Sequence, residues 1–151
     1  MELTENTAIT DNHLLPAAFT PKDVLDAFDV SFLDEHWCRI WILMKLHPVK
    51  ACCPGCRNEI PERLQHSFWN CKRIKCDTCG KYFTVLTGTT LSGCHFDFRE
   101  IVLLSLLIAL GIADKQIATI LKISAENVRL WRHRFDAIAQ AQQKHLENNI
   151  D

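Results

Sequence analysis

Four of the eight cysteines stand in two pairs, Cys53-Pro54-Gly55-Cys56 and Cys76-Asp77-Thr78-Cys79, separated by nineteen residues. A C-x-x-C turn sets two thiolates about one metal radius apart, and two such turns close a tetrahedron around Zn2+. Pro54-Gly55 inside the first turn and Gly80 after the second supply the backbone that so tight a loop requires. The expected cofactor is one Zn2+ held by Cys53, Cys56, Cys76 and Cys79. Four sulfurs leave no open coordination position, so the zinc is expected to be structural. Cys52 offers an alternative to Cys53 through a three-residue spacing to Cys56. Cys38 reads as a small buried hydrophobe, and the seven histidines show no pairing at ligand spacing.

A second group with chemical potential lies near the C-terminus. The segment Gly111–Leu121, a turn Lys122-Ile123-Ser124, and a helix from Ala125 follow the helix-turn-helix plan. Val128 and Trp131 would anchor the last helix, leaving Ala125, Glu126, Asn127, Arg129, Leu130 and His133 facing outward. Asparagine and arginine pair bidentately with adenine and guanine edges, and glutamate accepts from cytosine. Lys122, Ser124, Arg132 and Arg134 would meet phosphates. Lys72, Arg73 and Lys75, in a cysteine-rich segment with net charge +4 over residues 50–81, are further candidates for phosphate contact.

Several elements must hold these groups in place. Thr20-Pro21-Lys22-Asp23 starts a helix, with threonine as N-cap and proline at the first position. A second helix is expected over Phe32–Leu46, with Trp37, Ile40, Trp41 and Met44 as its buried stripe. Pro48 ends it. Ser67–Lys75 and Lys81–Thr87 read as strands. Asp97 with Glu100 forms a capping box for a helix over Phe98–Leu110, apolar almost all round and closed by Gly111. A sparse stripe of Ile138, Ala139, Gln142, His145, Leu146 and Ile150 extends the last helix. The expected fold is α+β, mostly α: an N-terminal helical pair, a small β zinc ribbon, and a C-terminal three-helix unit with a long last helix. The boundaries read as a mobile tail over 1–18, an acidic helical region over 19–48, the ribbon over 49–96 and the helical unit over 97–151.

The charge is divided along the chain. Residues 1–36 hold eight acids against Lys22, a net −7, and the remainder carries +6. A basic body suggests a polyanionic partner. The longest apolar run is too short to cross a bilayer, and the N-terminus lacks the pattern of a signal peptide. The chain is therefore expected to be cytoplasmic, with its cysteines reduced and no membrane partner.

The run from Cys53 to Cys56, then Cys76-Asp-Thr-Cys79-Gly-Lys-Tyr-Phe-Thr-Val-Leu-Thr-Gly-Thr-Thr90, then Gly111–Leu121, resembles the N-terminal DNA-binding part of certain insertion-sequence transposases. The resemblance covers about residues 50–135. It implies that the four cysteines bind zinc and that the helix from Ala125 meets DNA. It departs from that family in that sixteen residues follow Phe135, with no acidic-triad nuclease domain. The expected function is sequence-specific binding of double-stranded DNA, as a transcriptional regulator of a phage, mobile element or operon. The alternative is a zinc-ribbon adaptor that binds RNA polymerase or another protein, with the acidic N-terminal region as its contact. A homodimer reading paired half-sites is a further expectation. With no His-Asn-His or carboxylate cluster, no enzyme is expected.

Overall fold

The computed structural model describes residues 18–148, so all but the last residue of the tail expected over 1–18, and Ile150, lie outside the described residues. The chain is mostly helical, with six α-helices and one two-stranded antiparallel sheet among those residues. Helix α1 (Pro21–Ala27) starts at Thr20. The Asp23 carboxylate accepts from the Thr20 backbone N–H at 2.8 Å and from its hydroxyl at 3.1 Å.

The helix expected over Phe32–Leu46 is split. A 3-10 turn spans Val30–Leu33, with the Asp29 carboxylate accepting from the Ser31 N–H at 2.8 Å. Asp34 then adopts extended backbone and accepts from the Trp37 N–H at 2.7 Å, restarting the chain as α2 (Glu35–Leu46). An aspartate that satisfies an orphan N–H of the first turn is a strong N-cap, and it overrides continuous apolar spacing.

The expected buried stripe of α2 is also corrected. Cys38, Ile42, Leu43 and Leu46 are buried, whereas Trp37, Ile40 and Met44 are exposed, Met44 at 65%. Trp41 alone of the expected stripe packs inward, edge-on to Phe32 at 4.9 Å and to Phe19 at 6.1 Å. Helix α2 is apolar on two faces, and periodicity picks out the face with the larger side chains. The Asp34 cap and the Phe32–Trp41 contact turn the other face toward the core.

Helix α4 (Phe98–Ala109) is the central element. Asp97 and Glu100 cap it reciprocally, at 2.9 and 2.8 Å. It buries Ile101, Val102, Leu104, Ser105 and Ile108, and packs against α1, α2, the 3-10 turn and α5. Gly111 follows with φ 73°, closing the helix as its sequence predicts. Helix α5 (Asp114–Leu121) packs on α6 (Ala125–Asn148), a single helix of 24 residues and so about 36 Å long. Its first half buries Val128, Trp131 and Phe135. Phe19 meets Phe135 at 6.0 Å, so the N-terminal segment and α6 share one core with α4.

The cysteine-rich segment carries the largest correction. Ser67–Lys75 is not a strand. Helix α3 (Glu62–Trp69) occupies its first part, and strand β1 (Ile74–Lys75) is confined to its end. Strand β2 is Tyr82–Phe83 rather than the longer Lys81–Thr87. The aromatic residues Phe68-Trp69 favour a strand when taken alone. The preceding Glu62-Arg63-Leu64-Gln65 starts a helix, and Gln65 Oε1 accepts from Trp69 Nε1 one turn later at 2.9 Å. Cys71, at φ 60°, then turns the chain into β1.

Two side chains separate these packing roles. Phe135→Ala removes a fully buried ring and is expected to cost about 3–5 kcal/mol in urea unfolding. Met44→Ala is expected to change stability by no more than about 0.5 kcal/mol, as for other exposed positions. Equal costs would place Met44 in the core.

Candidate metal centre and nucleic-acid interface

The two C-x-x-C turns are built alike. Cys53 C=O accepts from the Arg57 N–H at 2.9 Å, and Cys76 C=O accepts from the Gly80 N–H at 2.9 Å. The residue after each pair lies in the left-handed region, Arg57 at φ 67° and Gly80 at φ 74°. Glycine takes that conformation without strain in the second turn, and arginine bears it in the first.

The turns face each other and bring four sulfurs together. The Sγ atoms of Cys53, Cys56, Cys76 and Cys79 all lie within 4.8 Å of one another. Cys53–Cys79 and Cys56–Cys76 are each 3.6 Å apart. A tetrahedral ion with metal–sulfur bonds near 2.3 Å needs sulfur edges of about 3.8 Å, so the quartet fits one structural metal ion. Cys52 stands outside the group and pairs by backbone with Glu59 instead.

Without a metal, four thiolates could not coexist at this spacing. The backbone N–H groups of Cys79 and Thr78 hold the Cys76 thiol down to about 6. The Asn58 N–H pulls Cys56 the same way, but partial burial beside the other three thiols outweighs it and raises Cys56 to about 11. One sulfur ionises readily and its neighbour keeps its proton as a hydrogen-bond donor to it. A bound cation removes the repulsion among four thiolates and displaces the remaining protons.

The quartet is tied to the rest of the molecule from two sides. Gly88, at φ 74°, lies so close to Pro54 that a methyl group there would meet the proline Cβ at 2.9 Å, so the Thr87-Gly88-Thr89 turn packs over the first cysteine loop. His47, just past α2, donates from Nε2 to the Val85 C=O at 2.7 Å and packs edge-on to Phe68 and Trp69. Burial holds the His47 imidazole below its ordinary range, despite the carbonyl's opposing pull. Cys38, Cys52, Cys71 and Cys94 have thiols raised by burial, as expected of cysteines that pack rather than react.

At the C-terminal helices the expected turn is present. Lys122 ends α5 at φ 55°, ψ 42°, with its N–H on the Ala118 C=O, and Ser124 Oγ accepts from the Asn127 N–H at 3.1 Å. Glu126, Arg129, Leu130 and His133 are exposed, as are Lys122 and Ser124, while Ala125 and Asn127 are half-buried. Two of the four residues assigned to phosphates are engaged elsewhere. Arg132 clasps Asp114 from Nε at 2.9 Å and from Nη2 at 2.8 Å, and the same Nη2 also reaches the Ile112 C=O. Arg134 donates to the Ser92 C=O at 2.9 Å and covers the Trp131 ring at 4.8 Å. Arg132 thus locks α5 to α6, and Arg134 locks α6 to the loop leading into α4. Arg129 forms an ion pair with Glu126 at 2.5 Å, so the two strongest base-reading candidates neutralise each other. Nothing in the spacing of Arg132 and Asp114, eighteen residues apart, announces their pairing.

Lys72, Arg73 and Lys75 are all exposed. They do not share one strand with Trp69 and Cys71; only Lys75 lies in β1. Arg73 stands over the Tyr82 ring at 4.7 Å, with the Lys75 ammonium at 5.7 Å.

Compared with protein-family models, with curated proteins and with solved structures, the chain finds no match in any of the three.

Two measurements test this geometry. Purified protein is expected to contain one tightly bound metal ion per chain, and Cys76→Ser is expected to lose it and unfold the segment around it, since structural metal sites contribute about 10–16 kcal/mol in small finger peptides. Full metal content in Cys76→Ser would overturn the ligand set. The second concerns His47. Its folded pKa lies below the unfolded one, so on acidification the unfolded chain takes up the proton first. The stability from the neutral, buried ring is therefore present above about 6.5 and lost as pH falls below that value toward the lowered folded pKa. Unfolding curves of His47→Gln should lack that part of the acid sensitivity.

Proposed function

We propose that the chain is a sequence-specific, double-stranded DNA-binding protein, a regulator of transcription for a phage, mobile element or operon, built around one structural zinc. The observation that carries this reading is the pair α5 and α6, joined by the Lys122-Ile123-Ser124 turn and locked by the Arg132–Asp114 clasp, with Glu126, Arg129, Leu130 and His133 exposed on the first three turns of α6. A helix so supported, with one face of its N-terminal half exposed, has the form that enters a major groove in helix-turn-helix proteins. Zinc is the ion of choice for four thiolates, and with no free coordination position it holds the fold rather than performing a reaction. The likeness of residues 50–135 to the DNA-binding part of insertion-sequence transposases supports the same reading. On it the protein binds and does not catalyse.

A second reading rests on a separate observation. Trp37, Ile40 and Met44 form an exposed apolar stripe on α2 at spacings of three and four residues, with exposed Leu33 in the preceding 3-10 turn and the acids Asp29, Asp34 and Glu35 nearby in sequence. A stripe of that kind fits an adaptor whose acidic N-terminal region docks on RNA polymerase or another protein.

Selection of bound sequences from random duplex DNA separates the readings: an enriched motif supports the first, and none supports the adaptor. On the enriched site, Arg129→Ala should cost about 1–3 kcal/mol and relax preference at one position, as Arg129 leaves Glu126 for a base edge. Lys122→Ala should weaken all sequences alike and lower the salt slope by about one. If both variants bind as the parent does, the helix is scaffold.

A further inference from the structure

The cations of the metal-binding segment are unevenly paired. Lys50 pairs with Glu59 at 3.1 Å, and Arg63 pairs with Asp77. Among the described residues no carboxylate pairs with Arg57, which closes the first cysteine turn, or with Lys72, Arg73, Lys75 or Lys81. Lys81 lies across the first cysteine turn: a methyl at Gly55 would stand 2.8 Å from its Cδ and 3.5 Å from Cys79 Sγ. There it offsets the negative charge of the thiolates. Lys72, Arg73 and Lys75 remain as an unneutralised group.

The hairpin that carries this group has two faces. Ile74 pairs with Phe83 in register, and both are buried. Lys75 pairs with Tyr82, and both point outward. Tyr82 is 58% exposed although its neighbour Phe83 does the packing. The Arg73 guanidinium lies over the ring at 4.7 Å from its centroid and the Lys75 ammonium at 5.7 Å, two flexible cations that a base can displace from the ring face toward its phosphates. The inner pair and the adjacent Cys76–Cys79 turn make this a rigid platform. On α6, by contrast, Arg129, Arg132 and Arg134 all have partners within the protein.

We propose that the outer face of this hairpin is a binding site for an unpaired DNA strand, with Tyr82 stacking on a base and Lys72, Arg73 and Lys75 meeting its phosphates. A duplex hides the faces of its bases and offers only their edges and the phosphates, so an exposed aromatic ring finds no base face to stack on. An unpaired strand presents both, and an aromatic ring beside cations matches both. The site extends the DNA-binding reading to a strand that α6 does not touch.

The experiment measures anisotropy of a labelled oligothymidylate and of a random-sequence blunt duplex, over a range of salt, with the metal-loaded full chain. Tyr82→Ala should weaken oligothymidylate binding by roughly 5- to 100-fold, the worth of one base stack, and leave duplex binding unchanged. Tyr82→Trp should restore it. Replacing Lys72, Arg73 and Lys75 by alanine should reduce the single-strand salt slope by about two, at about 0.7 per phosphate. Because Tyr82 is exposed, metal content and melting temperature should match the parent in every variant. Unchanged oligothymidylate binding in Tyr82→Ala, or an equal loss on duplex and single strand, overturns the proposal. Failure of the duplex reading shows separately, as loss of motif enrichment, while Lys122→Ala and Arg129→Ala leave oligothymidylate binding intact if the hairpin site is real.

Discussion

The meeting of two cysteine turns across nineteen intervening residues is the constraint on which the middle of this molecule rests. The sheet beside it has two residues per strand, too few for independent stability, and α3 has eight residues, too short to form alone in water. Sulfur closure supplies what these elements lack. With Cys53 and Cys56 held against Cys76 and Cys79, Phe68 and Phe83 come within 6.2 Å, and the Thr84–Thr90 loop folds back so that Val85 meets His47. The helical part needs no such device, since α4 buries five residues among α1, α2 and α5.

The same segment is fastened to the helices by polar contacts between residues far apart in sequence. His47 Nε2 to Val85 O joins α2 to the loop after β2, and Arg134 Nη2 to Ser92 O joins α6 to the loop before α4. Both acceptors are backbone carbonyls of loop residues outside the sheet. Arginines that look available in sequence thus serve the architecture. Half-buried guanidinium groups so engaged, Arg132 by two acceptors and Arg134 by one carbonyl and the Trp131 face, are costly to detach, so both are fixed parts of the scaffold rather than free phosphate ligands.

Charge is distributed accordingly. Lys72, Arg73 and Lys75 around the β1–β2 hairpin have no carboxylate partner among the described residues, whereas Glu126–Arg129 and Lys22–Asp26 pair one helical turn apart. At the opposite extreme, the N-terminal helices combine acids with exposed Leu33, Trp37, Ile40 and Met44. The molecule therefore presents a basic and an acidic-apolar surface of different chemistry.

Sequence by itself determined whatever depends on near neighbours. The two C-x-x-C turns, the Thr20 and Asp97 caps, the Gly111 stop and the Val128–Trp131–Phe135 anchor were all legible, because each rests on residues within a turn or two of one another. Tertiary structure decided matters in which two local solutions compete. Ser67–Lys75 could be strand or helix, and the helix-starting residues before it prevailed. Both faces of α2 are apolar, and the Asp34 cap with the Phe32–Trp41 contact chose which was buried. The availability of Arg129, Arg132 and Arg134 could not be read from their positions, since one is neutralised by a flexible neighbour and two reach across 18 and 42 residues. Periodicity reports that a face is apolar or that a charge is present; the partner that face or charge meets is set by the packing of elements far apart in the chain.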